Sequence, residues 1–83
     1  MHQELIDFTL SLVKSLVKEP DMVSVQEFGS DDDGIMLEVI VHESDMGAVI
    51  GKSGKIAGAI RTLVQAYAYT HNLNRIKINI DSF

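Results

Sequence analysis

Residues 49–60 place anion-binding residue types inside an apolar, helix-like run, Val-Ile-Gly-Lys-Ser-Gly-Lys-Ile-Ala-Gly-Ala-Ile. The segment contains three glycines and two lysines: Gly51, Gly54, Gly58, Lys52 and Lys55. The first turn of a helix presents free backbone N–H groups and a positive dipole end, and glycine lets a phosphate approach without a Cβ in the way. Lysines at that end are unfavourable by roughly 0.3–1 kcal/mol each unless an anion is bound. The chemistry indicated is the binding of a nucleic-acid backbone.

Two other interpretations of this stretch are open. In the first, Gly51 caps one helix and Gly54 opens the next, and no ligand is involved. In the second, Gly51-Lys52-Ser53 belongs to a phosphate loop of nucleotide hydrolases. That loop needs four residues between its first glycine and the Gly-Lys-Ser, whereas only residues 48–50 follow Gly47. A chain of 83 residues also has no room for the parallel sheet that such a loop serves, so this interpretation is disfavoured.

The remaining polar residues do not form a pattern typical of an enzyme or a metal site. His2, His42 and His71 are spread over the chain without metal-ligand spacing. The Asp31–Asp33 run lacks the spacing and distal glutamate of a calcium loop, and no Ser-His-Asp arrangement or acid–base pair stands out. We therefore expect a non-catalytic protein with no cofactor and no metal.

Composition indicates one small domain, residues 1–83, in a reducing compartment, and the cytoplasm is the default. The chain has 46% hydrophobic residues, one proline and no cysteine. No apolar run reaches the roughly 18–20 residues that span a bilayer, so no membrane association is expected. The net charge of −5 is unevenly distributed, with −9 over residues 1–45 and +4 over residues 46–83. The positive half contains the glycine-lysine stretch.

Hydrophobic periodicity predicts the elements that position this stretch. We expect three helices, at residues 3–18, Met46–Ile50 and 54–71, and three strands, at residues 22–28, 35–42 and 75–81. The first two strands form an antiparallel hairpin, Pro20 stops the first helix, and Ser44-Asp45 supplies an N-cap for the second. Gly58, inside the third helix, is expected to allow close helix packing. The order α-β-β-α-α-β predicts an α+β fold with three strands covered on one face by three helices.

Residues 49–60, with their aliphatic pair, G-x-x-G motif and following isoleucines, resemble the core of a KH domain. The element order is similar to the type II form, and the length resembles the small bacterial stand-alone KH proteins of the KhpA family. This resemblance covers the whole chain. It implies a non-catalytic RNA-binding protein that acts as an RNA chaperone or post-transcriptional regulator, as a homodimer or with a larger KH-containing partner of the KhpB family.

The resemblance also implies a groove for about four nucleotides of single-stranded RNA. Gly51, Lys52, Ser53 and Gly54 would grip the backbone, Lys55 would add a charge, and Ile50 and Ile56 would form an apolar floor. The strand at 35–42 would form the other wall, with main-chain contacts to the bases and Ile40 as its apolar contributor; Arg61 is a weaker candidate.

Two features favour an alternative function, a KH-fold interaction module with little RNA affinity. Asp31–Asp33 would repel phosphates near the groove. The wide apolar face of residues 3–18, with Tyr67 and Tyr69, predicts a dimer interface.

Overall fold

A computed structural model describes residues 2–30, 34–73 and 75–83, so Asp31–Asp33 lie outside the described residues. The main elements follow the predicted order: α1 Gln3–Lys14, β1 Ser24–Ser30, β2 Gly34–Val41, α2 Met46–Ile50, α3 Lys55–Thr70 and β3 Ile76–Ser82. Short 3-10 turns occupy Pro20–Met22, Glu43–Asp45 and Lys52–Gly54. The order α-β-β-α-α-β is confirmed.

The three strands form one mixed sheet in the order β1-β2-β3. β1 and β2 pair antiparallel, which confirms the predicted hairpin, and β2 and β3 pair parallel. β2 is therefore the central strand, and its residues 35–40 are paired on both sides. The connection from β2 to β3 passes through α2 and α3, because parallel neighbours need a crossover rather than a tight turn.

The two faces of the sheet differ in burial. Leu37, Val39 and Val41 of β2 are buried. Met36, which lies on the opposite face of the same strand, is 40% exposed. Helices α1 and α3 pack on the buried face and on each other, which confirms that the helices cover one face. We call the opposite face the open sheet face; its residues, from the register, are Ser24, Gln26, Phe28, Met36, Glu38, Ile40, Lys77, Asn79 and Asp81.

Helix α1 ends at Lys14, four residues before the predicted end, and Pro20 begins a 3-10 turn instead of stopping the helix. The cause is a tertiary contact. The backbone N–H groups of Lys18 and Glu19 each donate to the buried carboxylate of Asp45, at 3.0 Å. A buried carboxylate needs such donors, and they hold residues 18 and 19 outside the helix. Asp45 is the N-cap residue of α2, as predicted, but its carboxylate makes no cap bond to that helix because it accepts from Lys18 and Glu19 instead.

The apolar face of α1 is largely used inside the molecule. Leu5, Ile6 and Val13 are buried. Phe8 stacks on Tyr67, with ring centroids 4.3 Å apart. The exposed large apolar side chains lie mostly elsewhere: Leu16, Met22, Phe28, Met36, Ile56, Leu63, Tyr69 and Phe83. The core thus takes up part of the apolar face predicted for residues 3–18: Leu16 is exposed, and Phe8, Leu12 and Tyr67 are only partly buried. The dimer interface predicted there stays a prediction.

None of the helices in the described part of the chain has the length and apolar composition that crossing a bilayer requires.

Candidate nucleic-acid interface

The Gly51–Gly54 turn joins α2 to α3 through an unusual backbone. Gly51 has φ 75° and ψ 176°, a region that is essentially accessible only to glycine. Ser53 (φ 57°, ψ 27°) and Gly54 (φ 74°, ψ 15°) are both left-handed, and Lys55 then starts α3 with right-handed angles. A left-handed serine costs roughly 1–2 kcal/mol. Such strain at an exposed turn is typical of a functional site.

The two glycines of the turn are required for different reasons. A Cβ on Gly51 would lie 2.9 Å from both the backbone nitrogen and the Cβ of Ile56, closer than real contacts allow. A Cβ on Gly54 would meet nothing within 4 Å, so only its positive φ favours glycine there. Gly51 is needed so that the chain can pass over Ile56, and the space beside Gly54 is open to a ligand.

The backbone of the turn uses part of its donors internally. The N–H groups of Gly54 and Lys55 donate to the carbonyls of Gly51, at 3.2 Å, and of Lys52. The next N–H groups, in the first turn of the 16-residue helix α3, lie at the positive end of its dipole.

The lysines of this turn are available to a ligand. Lys52, Ser53 and Lys55 are exposed. Both ion pairs found among residues 2–30, 34–73 and 75–83 join a histidine to a glutamate, so neither engages these lysines. Both lysines are therefore solvent-accessible next to the start of α3.

Ile50 and Ile56 flank the turn as predicted. Ile50 is partly buried against the core, and the Ile56 side chain lies over Gly51 with 37% of its surface exposed. Val49 of α2 is fully buried in the core and holds this short helix in place. The turn is thus bordered by apolar surface on both sides.

Ile40 does not join this group. Its Cα partners are Ser24 and Asp81, and it lies on the open sheet face, whereas α2 and α3 lie on the other. The predicted wall at residues 35–42 is wrong in its main-chain part, because residues 35–40 are hydrogen-bonded to strands on both sides and their backbone groups are already used.

The strand that contacts α2 is β3, which was not among the site elements predicted from the sequence. β3 contacts α2 and pairs with β2 on one side only, so its outer edge presents unpaired backbone groups. Ile80 of β3 packs partly buried against the core. The order of elements in the sequence could have predicted this placement. Two strands joined through two helices, as in β2-α2-α3-β3, form a crossover unit whose strands lie parallel.

Gly58 has a different environment from the one predicted. A Cβ at this position would meet nothing within 4 Å, so no close helix approach depends on it. The predicted packing role is wrong; within residues 49–60, Gly51 rather than Gly58 permits a close contact.

The histidines are separated and engaged in local contacts. The backbone N–H and Nδ1 of His2 contact the two carboxylate oxygens of Glu27 at 2.7 and 2.8 Å. Burial by itself would raise the pKa of Glu27, but the hydrogen bonds and charge from His2 outweigh it and lower the pKa from its ordinary value. His42 bonds Ser44, and His71 stacks on Tyr67. Within the described ranges, no group of three or more His, Asp or Glu residues could hold a metal ion.

The fold and the turn together define a class. An α-β-β-α-α-β chain with a mixed three-stranded sheet and a G-x-x-G turn between its second and third helices is a KH domain of type II.

Comparison with known proteins identifies the family of KH domains to which the chain belongs. The family model described as "KhpA/KhpB, KH domain" matches residues 6–80. "RNA-binding protein KhpA" of Clostridium acetobutylicum is 46% identical over 70 residues, covering 84% of this chain and 91% of that protein. "RNA-binding protein KhpA" of Borreliella burgdorferi is 43% identical over 77 residues, covering 93% and 88%. The chain belongs to the KhpA/KhpB KH-domain family.

Solved structures with a similar fold include Aquifex aeolicus Era bound to GDP.AlF4-, with a TM-score of 0.69 at 15% identity. The alignment covers 96% of this chain but only 31% of Era. Era in complex with MgGDPNP and nucleotides of 16S ribosomal RNA gives a TM-score of 0.67 at 16% identity, covering 94% of this chain and 29% of that one. At this identity the likeness shows the fold alone.

Proposed function

We propose that this chain, acting over residues 1–83 as a single KH domain, is a non-catalytic protein that binds short single-stranded RNA. The observation that carries the proposal is the Gly51–Gly54 turn, where a strained backbone, open space beside Gly54 and two exposed lysines occur together at the start of α3. The family relatives named RNA-binding protein KhpA support RNA as the ligand.

In the proposed complex, Gly51, Lys52, Ser53 and Gly54 hold the RNA backbone and Lys55 adds a charge contact. Ile50 and Ile56 provide apolar surface beneath the bases. The outer edge of β3 replaces the strand at 35–42 as the source of main-chain contacts to base edges, because β3 has an unpaired edge and lies against α2.

Binding by this groove depends only moderately on salt. Two or three neutralised phosphates predict a slope of log K against log salt of about −1.4 to −2.1 for a single strand. The net charge of −5 adds no long-range attraction, so affinity comes from the local turn and the apolar floor.

We further propose that the chain works in the bacterial cytoplasm as an RNA chaperone or post-transcriptional regulator, as a homodimer or with a larger KH-containing protein of the KhpB family. The interface proposed is an exposed stripe of α3 formed by Ile56 and Leu63, which are about two helical turns apart; Tyr69 is also exposed but lies about 120° around the helix from Leu63. A single helix stripe of this kind is apolar enough to associate and is separate from the faces that form the core. Ile56 belongs to both surfaces, so association and RNA binding influence each other. Sedimentation that finds a monomer at high micromolar concentration contradicts the homodimer.

A second candidate function is favoured by the same stripe: an interaction module that retains the fold and has little affinity for RNA. RNA titration separates the two candidates, because the module associates through Leu63 and does not need the turn.

The test is a set of titrations of short single-stranded RNA at two salt concentrations. We expect Lys52→Asp/Ser53→Asp to lose binding, because it brings two carboxylates to the phosphate path. Lys77→Asp is the matched control for Lys52→Asp. It makes the same charge change on an exposed lysine of the open sheet face, near the start of β3. Equal binding by wild type and the double variant, or no binding by a folded wild type, refutes the proposed function.

A further inference from the structure

The hydrogen bonds of the parallel strand pair show which backbone groups of β3 point away from the sheet. The backbone N–H of Ile35 in β2 donates to the carbonyl of Arg75 at 3.1 Å. Along a strand, successive residues direct their backbone groups alternately to the two sides. The odd-numbered residues of β3 therefore face β2, and the even-numbered residues direct their N–H and C=O groups to the outer edge.

The carbonyl of Ile76, which lies on this outer edge, is already used. It accepts a hydrogen bond from the side-chain amide of Gln65 in α3, at 3.2 Å. The contact shows that the side of α3 that carries Gln65 faces the outer edge of β3. It also means that an RNA base that passes Ile76 must be held by something other than this carbonyl.

The same side of α3 leads from the Gly51–Gly54 turn to an exposed aromatic ring. Gly54, Arg61, Gln65 and Tyr69 follow one another at steps of seven, four and four residues. At about 100° per residue, these positions lie within about 80° of one another around the helix axis. Tyr69 lies about 22 Å along the helix from Gly54, since each residue adds about 1.5 Å. Its side chain is 76% exposed.

Tyr69 shares a cavity with the edge of β3. The cavity is lined by Gln65, Tyr69, Leu73, Arg75 and Ile76. It combines an aromatic ring and apolar surface with a cation, and none of these five described residues carries a carboxylate, although the chain has a net charge of −5. This chemistry fits a nucleobase with its phosphate, because the base stacks on the ring and the phosphate is attracted by the cation.

We propose that Tyr69 is a base-stacking residue that extends the RNA site beyond the groove next to the Gly51–Gly54 turn. A KH groove holds about four nucleotides. A base that follows them past Ile76 would lie beside the cavity, and the ring would accept any base there, because every base has a π-face. This inference rests on the proposed function and adds a contact that neither the turn nor the backbone of β3 supplies.

Three substitutions separate stacking from other roles of the ring. Tyr69→Phe keeps the aromatic ring and removes only the hydroxyl, whereas Tyr69→Leu removes the aromatic system and keeps an apolar side chain. Phe28→Leu is the matched control. Phe28 is also exposed, at 51%, but it lies on the open sheet face, opposite to the face covered by α3.

The experiment titrates single-stranded RNAs of four and of eight nucleotides, both of mixed sequence, against five folded proteins. These are wild type, Tyr69→Phe, Tyr69→Leu, Phe28→Leu and Lys52→Asp/Ser53→Asp. We expect Tyr69→Leu to bind the longer RNA roughly tenfold more weakly than wild type, the lower part of the range for one stacked base, and the shorter RNA within about twofold. Tyr69→Phe and Phe28→Leu should bind both RNAs within about twofold of wild type. Thermal melting checks that each variant is folded.

A direct readout uses the eight-nucleotide RNA with 2-aminopurine at each position in turn, because stacking quenches its fluorescence. At saturation, we expect at least one position to be quenched by wild type and by Tyr69→Phe but not by Tyr69→Leu. The inference is overturned if no position differs in quenching, if Tyr69→Leu binds the longer RNA like wild type, or if Phe28→Leu loses as much affinity. An equal loss with both RNAs also overturns it, because the ring would then act within the groove or on the fold.

Failure of the stacking role is distinguishable from failure of the proposed function. If Tyr69→Leu binds like wild type while Lys52→Asp/Ser53→Asp loses both RNAs, only the stacking role fails. If Tyr69→Leu weakens self-association in sedimentation and leaves RNA affinity unchanged, the ring belongs to an interface between copies, and the inference is again overturned. If folded wild type binds neither RNA, the proposed function fails and the stacking role with it.

Discussion

The Gly51–Gly54 turn and the open sheet face both combine cations with exposed apolar side chains, but they differ in their backbone. The turn sets Lys52 and Lys55 beside Ile56, and the sheet sets Lys77 in register with Met36 and Phe28. On the sheet, the backbone of Met36 is paired on both sides. In the turn, the N–H groups of Gly54 and Lys55 are used internally, and the next N–H groups, in the first turn of α3, lie at the positive end of the helix dipole. We therefore expect the turn, rather than the open sheet face, to bind phosphate.

The largest effect is expected from Gly51→Ala, which attacks the backbone of the turn without changing charge. A methyl group would collide with Ile56, and alanine is strained at φ 75° and ψ 176°. We expect a loss of about 3 kcal/mol in the free energy of unfolding, from about 1–3 kcal/mol for the backbone and a similar cost of overpacking. Chemical denaturation measures it, and RNA titration of the folded fraction should show weakened binding. An unchanged denaturation midpoint would contradict this account of Gly51.

Lys52→Ala and Lys77→Ala test whether position or charge decides RNA binding. Each phosphate contact on a single strand contributes about 0.7 to the slope of log K against log salt. We expect Lys52→Ala to reduce the slope by about that amount and Lys77→Ala to leave it unchanged. Equal slopes for the two variants would mean that the cation of the open sheet face is equivalent to that of the turn, and the comparison would fail.

Gly58→Ala should stabilise the protein, in contrast to Gly51→Ala. A Cβ at position 58 has open space, and alanine is favoured over glycine within a helix by about 1 kcal/mol. We expect the melting temperature to rise by about 4–8 °C, with RNA affinity unchanged. A lower melting temperature would instead support the packing role that was predicted for Gly58 from the sequence.

Glu27→Gln should alter the pH dependence of stability without affecting the turn. Because the folded-state pKa of Glu27 is lowered, its stabilising contribution is present above the unfolded pKa and is lost as pH falls through the folded pKa. The stability of wild type should therefore fall relative to Glu27→Gln as the pH drops below about 4.5, the ordinary glutamate value. Thermal melts at pH 7 and at decreasing acidic pH measure the difference. A pH-independent difference between the two proteins would rule out this role.

Much of the fold followed from local patterns. Apolar periodicity located all six elements, and Met46–Ile50 was bounded correctly because Gly51 ends that helix through its own backbone preference. The end of α1 was missed because the deciding group, Asp45, is distant in sequence from the Lys18 and Glu19 N–H groups that it accepts. No local pattern reports such a contact.

The candidate site, like the fold, has one part that local sequence predicts and one part that depends on tertiary contacts. The Gly51–Gly54 turn and its lysines are contiguous in sequence, so residue types and spacing indicated them, and the resemblance to a KH domain added the flanking isoleucines. The opposite wall is not contiguous. Ile40 was assigned to it because an alternating strand does not reveal which of its faces the helices cover, or that β2 has a strand on each side.

The sequence by itself determined the local chemistry: where glycine permits a turn, where lysines meet a helix start, and which segments are helix or strand. Only the tertiary structure decided which glycine of residues 49–60 is packed, which strand contacts α2, and on which face of the sheet each strand residue lies. The physical reason is that backbone preference acts between neighbours in the chain. Packing space, strand pairing and the burial of a carboxylate depend on residues that meet only after folding.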